Sequence, residues 1–313
     1  MPKISPYKHI IESQQFDQSF LTDLFALTSK IKDNPYQFQD SLKGKIVALL
    51  FYEPSTRTRL SFESAALRLG AEKITTENAR EFSSAAKGET VEDSTQVLCT
   101  YADFIIMRHF DNDACEKAIK VATKPIINAG CGQGQHPTQA LLDLFTIFEH
   151  FNRTEGLTIA VVGDLLRART VNSLIYLLSK FKNNRFIFVS PENSKIKKGI
   201  IDHLKEVGLP FSEVNDLNSV IKEVDVVYMT RVQKERFDDM AEYEKAHGKH
   251  ILTQKMVENM SPKSIIMHPL PRIDEIPPEI DSDSRAVYFQ QAENGLYVRM
   301  ALLKMLHDHN NQN

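Results

Sequence analysis

Short apolar runs alternate along the chain with stretches whose apolar positions recur every three or four residues. The runs are "KIVALLFY" (45–52), "DFIIMR" (103–108), "KPIINAG" (124–130), "LTIAVVGDL" (157–165), "RFIFVS" (185–190), "VDVVYMT" (224–230) and "KSIIMHPL" (263–270). They are short and rich in Val and Ile, which predicts strands buried on both faces. Helical periodicity occupies 55–69, 89–101, 136–151, 168–181 and 292–307. Strand–helix alternation of this kind builds parallel sheets covered by helices. The series changes character at "NAGCGQGQHPTQ" (128–139), a Gly-rich turn that opens a long amphipathic helix. The expected fold is therefore α/β, with two doubly wound parallel-sheet domains joined by interdomain helices. One domain takes residues 1–135 and 293–313, the other 136–292.

Length and composition agree with that picture. The 313 residues exceed one ordinary core and suit about two domains. A chain 42% apolar and 25% charged reads as globular, and a net charge of -3 supplies no global field for nucleic acid. Any anion site must therefore be local. Cys99, Cys115 and Cys131 are too widely spaced for a metal knuckle, and their odd number argues against a disulfide framework. A reducing, cytoplasmic setting is expected. The start "MPKISPYKHI" has no apolar signal core, and no run approaches the roughly 18 apolar residues of a membrane span.

Ligands of doubly wound sheets sit beyond the carboxyl ends of the strands, so the residues following each run are the candidates for chemistry. After the first run comes "EPSTRTR" (53–59). Ser55 suits an N-cap, and the first-turn N–H groups of Thr56, Arg57 and Thr58 with the positive helix end would attract an anion. Arg57 adds a planar fork matched to phosphate oxygens. Arg59 lies two residues on and cannot share its face, so it is assigned to structure. Arg108 ends the second run. His136 opens a helix with Gln139 three residues on, which places an imidazole and an amide on one side. Arg169 and Arg231 follow two later strands, an arrangement suited to a ligand with two carboxylates. Leu270–Pro271 in "MHPLPR" is a candidate cis peptide.

The glycines of 130–134 lack the Lys-Ser/Thr of a phosphate loop, and "VVGD" lacks the spacing of a dinucleotide fingerprint, so nucleotide readings fail. No metal set and no nucleophile elbow emerges. His109, Asp111 and Asp113 are expected in a solvated turn, and His307 with His309 in a ragged, solvated tail. What remains is electrostatic positioning of a phosphate-bearing substrate and an acidic acceptor.

These motifs together resemble the carbamoyltransferases over nearly the whole chain. "STRTR" with "HPTQ" marks the superfamily, while "TRVQKER" and "HPLPR" look like its aspartate-specific members rather than its ornithine-specific ones, which carry "HCLP". The resemblance implies carbamoyl transfer from carbamoyl phosphate to aspartate, a step of pyrimidine synthesis, without cofactor or metal. It implies that Ser55, Thr56, Arg57 and Thr58 hold the phosphate and that Arg108 bridges phosphate and carbonyl. His136 would donate to the carbonyl oxygen; Gln139 and the backbone of Leu270 and Pro271 would take the carbamoyl amide. Arg169 would bind the α-carboxylate of aspartate, and Arg231 with Gln233 its side-chain end. Ser83 and Lys87, in "FSSAAKGE" (82–89), would enter a neighbouring subunit's site, Lys87 reaching both substrates, within a homotrimer. Regulatory chains are left open as further partners. Thr58, Arg108, His136 and Lys87 would act on the reacting groups. Glu53 would bridge to Arg169 and Arg236 on domain closure. Two other readings compete. A carbamoyltransferase for a cationic acceptor is opposed by Arg231, and an inactive scaffold is opposed by competent residues at every matched position.

Overall fold

The computed structural model describes residues 7–311 except 233, 235, 236, 238, 247 and 249. Elements up to the Gly-rich turn are α1 (Gln18–Asp33), β1 (Ile46–Phe51), α2 (Thr56–Arg68), β2 (Glu72–Glu77), α3 (Ala79–Phe82), α4 (Val91–Tyr101), β3 (Phe104–His109), α5 (Ala114–Val121) and β4 (Ile126–Cys131). Beyond it come α6 (Pro137–Phe151), β5 (Thr158–Val162), α7 (Arg169–Leu178), β6 (Arg185–Val189), α8 (Lys198–Glu206), β7 (Phe211–Val214), β8 (Val226–Met229), α9 (Met240–Ala246), α10 (Gln254–Asn259), β9 (Ile265–Met267) and α11 (Tyr288–Asn311). The chain divides into a unit of Met1–Leu142 with Glu293–Asn313 and a unit of Asp143–Ala292. Helices α6 and α11 each cross that division, and the first turns of α6 fall in the first unit.

The first unit holds a parallel sheet in the order β2-β1-β3-β4, the second a parallel sheet in the order β7-β6-β5-β8-β9. Strands β3 and β4 bury nearly every residue, as the apolar runs predict. All seven runs contain a strand. The two strands without a run, β2 ("EKITTE") and β7 ("FSEV"), are both sheet edges. An edge strand with a half-solvated face carries polar residues and so leaves no continuous apolar signature.

Helix α1, also absent from the expected set, has an amphipathic stripe. Asp17 caps it by accepting from the Phe20 N–H at 2.8 Å, and Phe20, Leu21, Leu24, Phe25 and Ile31 are buried on one side. Helix α11 runs to Asn311, so His307 and His309 lie half-buried on a helix rather than in a ragged tail. Burial pushes the His307 imidazole pKa down. His109 also departs from expectation. It is buried, its ring packs against Tyr52 and Phe110, and its Nδ1 accepts from the Asp111 N–H at 2.9 Å.

The all-thiol reading of the cysteines is corrected. Cys115 at the start of α5 and Cys131 at the end of β4 are disulfide-bonded, with Cα atoms 6.4 Å apart, and Cys99 is a buried thiol. Sequence spacing of 16 residues concealed the pair. The β3–α5–β4 crossover brings the helix start and the strand end to the same edge of the sheet. No helix of the described residues is long and apolar enough to cross a membrane.

In the second unit a buried network ties β8 to α6 and α11. The Tyr228 hydroxyl donates to Asp143 Oδ2 at 2.7 Å, and Gln291 Nε2 donates to Asp143 Oδ1 at 2.6 Å. Burial, and then the Asp143 charge, hold the Tyr228 pKa well above the usual phenol range. Tyr228→Phe takes a donor from a buried carboxylate and should lower the unfolding free energy by about 1–3 kcal/mol. Denaturant titration of both proteins checks this, and an unchanged midpoint would mean that Asp143 is satisfied without the hydroxyl.

Candidate active site

In each sheet the connections run both ways from a central pair of strands, β1 and β3 in the first and β5 and β8 in the second. Neighbouring crossovers diverge there and leave a crevice at the carboxyl ends. Among the described residues, every candidate but those on the 82–89 segment lies at or follows the carboxyl end of a strand of these sheets.

In the first unit, the parallel register sets Phe51 against Arg108 and His109 against Cys131. The residues after β1, at the end of β3 and after β4 are thereby gathered at one edge. Thr58, in the first turn of α2, is buried, and its Oγ1 lies 3.5 Å from His136 Nε2. His136 is 4% exposed, and its Nδ1 lies 3.4 Å from Thr138 Oγ1. Its carbonyl accepts from the N–H groups of Gln139 and Ala140 at 3.0 and 3.2 Å, which starts α6 and puts the half-buried Gln139 one turn on. Ser55 precedes α2 and makes no side-chain capping bond. Its hydroxyl is therefore not turned onto the first-turn N–H groups, where an anion would otherwise compete with it. Thr56 and Arg57 are exposed. Arg59 points elsewhere, pairing with Glu63 at 2.7 Å and Glu77 at 2.8 Å, as a structural residue should.

Arg108 is largely buried, and one guanidinium nitrogen lies 3.4 Å from Glu53 Oε2. Within its own unit Glu53 therefore has a cation to face. Of the partners expected for it, Arg236 lies outside the described residues, as does Gln233. Ser83 ends α3 and caps a single helical turn, Ser84–Lys87, by accepting from the Ala85 N–H at 3.2 Å. Lys87 is exposed at the end of that turn, before Gly88 at φ +93°.

Two residues that shape this edge escaped the sequence reading. Asn128 Oδ1 accepts from the N–H groups of Gly130 and Cys131 at 2.7 and 2.8 Å, and Asn112 Oδ1 accepts from Gln133 at 2.7 Å. Together they fold the Gly-rich turn that carries His136. The Asn-x-Gly pattern at 128–130 is an Asx-turn signal that could have found the first. Asn112 has no local signal, because its partner is 21 residues away. Gly132 is obligatory here. It sits at φ +56°, and a Cβ on it would lie 2.6 Å from Asn112 Cα.

In the second unit, β5 and β8 end side by side, with the Thr230 N–H donating to the Val162 carbonyl at 2.8 Å. Arg169 follows the first as the opening residue of α7, and Arg231 follows the second. Arg169 is 6% exposed and Arg231 half-buried. The preceding Gly163 (φ +117°) approaches so closely that a Cβ would meet the Thr230 carbonyl oxygen at 2.2 Å, so the two strand ends can close together only over glycine. The Leu270–Pro271 peptide after β9 is cis, with Leu270 at φ +54°. Among the described residues no group of three His, Cys, Asp or Glu is placed to hold a metal ion.

The chemistry available is thus hydroxyl, imidazole and guanidinium donors at one sheet edge, and two arginines at the other. Comparison with known proteins gives this arrangement a family. Residues 8–149 match the aspartate/ornithine carbamoyltransferase carbamoyl-P binding domain, and residues 155–306 match the Asp/Orn binding domain of the same family. The chain is 53% identical over 301 residues to the chloroplastic aspartate carbamoyltransferase of Arabidopsis thaliana, covering 95% of this chain and 77% of that one. Its fold superposes on the catalytic subunit of M. jannaschii aspartate transcarbamoylase with a TM-score of 0.90 and 45% identity, over 98% and 100% of the two chains. It also superposes on Trypanosoma cruzi aspartate transcarbamoylase in complex with carbamoyl phosphate and aspartate, with a TM-score of 0.90 and 36% identity, over 95% and 96%. Matched along both of its units, the chain belongs to the aspartate/ornithine carbamoyltransferase family, among its aspartate carbamoyltransferases.

Proposed function

We propose that this chain transfers the carbamoyl group of carbamoyl phosphate to the amine of L-aspartate, giving N-carbamoyl-L-aspartate and phosphate in pyrimidine synthesis. The observation that carries this reading is the convergence of Thr58, His136 and Arg108 at one sheet edge of a chain in this family. The deprotonated amine attacks the carbamoyl carbon, a C–N bond forms, the C–O bond to phosphate breaks with its electron pair leaving on the phosphate, and the attacking nitrogen gives up one proton to that departing phosphate. Charge develops on the carbonyl oxygen in the transition state. Thr58, Arg108 and His136 are the donors for it, held before the substrate arrives by β1, β3 and the turn after β4. Ser55, Thr56, Arg57 and Thr58 take the phosphate, and Gln139 with the backbone of Leu270 and Pro271 takes the carbamoyl amide. Arg169 and Arg231, with Gln233, take the two carboxylates of aspartate. No cofactor enters.

Both substrates are anions, so much of the rate enhancement comes from holding together groups that repel in water. Arg57, Arg108, Arg169 and Arg231 do no more than balance the two substrates, and Glu53 already faces one of them, which supports a homotrimer in which Ser83 and Lys87 enter the neighbour's site.

The direct test is turnover with carbamoyl phosphate and either aspartate or ornithine. Aspartate should react and ornithine should not, because Arg231 would face an ammonium group. Turnover with ornithine at a comparable rate overturns the acceptor assignment. Arg231→Ala refines the same test. It should weaken a dicarboxylate acceptor analogue by about 10- to 100-fold, the value of a charge-assisted hydrogen bond, and leave carbamoyl phosphate binding unchanged. Equal losses in the two separately measured affinities would make Arg231 structural.

A further inference from the structure

His268, the residue directly after β9, has no place in the chemistry above, yet its side chain is 1% exposed and both ring nitrogens are engaged. The Leu270 N–H donates to its Nδ1 at 2.7 Å. That nitrogen can accept only if it carries no hydrogen, so the ring is neutral with its proton on Nε2. Nε2 lies 2.7 Å from Glu275 Oε1 and donates to it. The other carboxylate oxygen accepts from the Ile273 N–H at 3.2 Å, and the Glu275 carbonyl accepts from Leu252 at 2.9 Å. Behind the ring, the His268 N–H donates to Gln291 Oε1 at 2.9 Å, which joins it to the Asp143–Tyr228 network. Burial works to raise the Glu275 pKa, but hydrogen bonds from the His268 ring and from the backbone of Glu275 and Ile273 outweigh it and hold the carboxyl below its ordinary range. The group that orients the ring is therefore an anion. Segment 268–275 has no regular secondary structure, so its shape depends on these bonds and on Arg272, which donates to Asp281 at 2.6 Å and to the Tyr288 hydroxyl at 2.9 Å.

We propose that His268, oriented by Glu275, is a positioning residue that sets the Leu270–Pro271 backbone where it can take the carbamoyl amide. The proposal rests on the reading that this backbone holds the amide. The two ring nitrogens have separable jobs: Nδ1 holds Leu270, and Nε2 reaches the anchor.

Two substitutions separate them. In His268→Asn, Oδ1 takes the place of Nδ1 and can accept from the N–H two residues on, as in an Asx turn, while the link to Glu275 is lost. In His268→Gln, the amide nitrogen reaches toward Glu275 while the acceptor for Leu270 is lost. Both variants lose the ring and its packing, so a purely structural role predicts equal effects. The readout is affinity for phosphonoacetamide, a phosphonate ending in a primary amide, divided by affinity for inorganic phosphate, with kcat and Tm measured alongside. His268→Asn should keep this ratio within about 3-fold of the parent, and His268→Gln should lower it and kcat by about 10-fold or more, the scale of a displaced binding group. If His268→Gln does not fold, Glu275→Gln replaces it. There the carboxamide turns an N–H toward Ile273, the ring loosens, and the ratio should fall by about 3-fold or more. Equal losses in both His268 variants, or lower Tm with the ratio intact in both, overturn the proposal. Pro271→Ala, which alters the contact backbone itself, distinguishes the two levels. If it leaves the ratio unchanged, the amide reading fails and the proposal with it. If it lowers the ratio while His268→Gln does not, the amide reading stands and His268 is structural.

Discussion

Arg108→Ala should lower kcat by about 10²–10³ at saturating concentrations of both substrates, the usual cost of removing one preorganised donor from a developing oxyanion. Its geometry adds a second loss. Glu53 lies 3.4 Å from the Arg108 guanidinium, and truncation leaves that carboxylate beside the edge where a phosphate must enter. KM for carbamoyl phosphate should therefore rise as well. The double variant Arg108→Ala/Glu53→Gln separates the two effects. Neutralising the carboxylate should recover much of KM, since the repulsion is gone, and leave kcat low, since the donor is still absent. A kcat within about 3-fold of the parent in folded Arg108→Ala would remove this residue from the reacting carbonyl. His136→Ala should lose kcat on the same scale, with little change in phosphate affinity, because the imidazole is assigned to the carbonyl oxygen and not to the phosphate.

The second large effect is a recovery. Arg57→Ala and Lys87→Ala chains should each be folded and nearly inactive. Arg57 contributes charge-assisted hydrogen bonds of about 1.5–3 kcal/mol each to the phosphate. Lys87 supplies the positive charge on an exposed turn whose following Gly88 lets the segment reverse direction. Mixed one to one and reassembled as trimers, a site works only with an intact pocket from one chain and an intact turn from its neighbour. In a cyclic assembly with heterologous contacts that happens in about a quarter of sites. Activity should rise from near zero to about that fraction of the parent. If both residues served the same chain's site, mixing would restore nothing. A flat result with subunit exchange confirmed by a mass-tagged chain would end the shared-site proposal.

The strands inside apolar runs and the position of the polar residues that follow them were legible in the sequence because both depend on local composition. A strand buried on both faces must be apolar throughout, and a helix start that receives phosphate must carry hydroxyls and arginine within one turn. Those requirements act on neighbouring residues, so seven strands, the "STRTR" helix start and the turn before His136 could be read directly. Arg59 could also be set aside correctly, since helical geometry alone turns it from Arg57.

What stayed hidden was either weakly patterned or dependent on partners far along the chain. The edge strands β2 and β7 are polar because solvent covers part of them, and polarity without period carries no strand signal. Cys115 with Cys131, Asn112 with Gln133, and Glu53 with Arg108 are pairs that only the crossovers of the first sheet bring together. His109 looked solvated beside two aspartates until Tyr52 and Phe110 were seen to enclose it. The same division runs through "HPLPR". The sequence by itself determined the family resemblance through which this backbone is expected to meet the carbamoyl group. Only the tertiary structure decided what holds that backbone, because the hydrogen-bond acceptor on His268 is defined by a proton that Glu275 keeps on the opposite side of the ring.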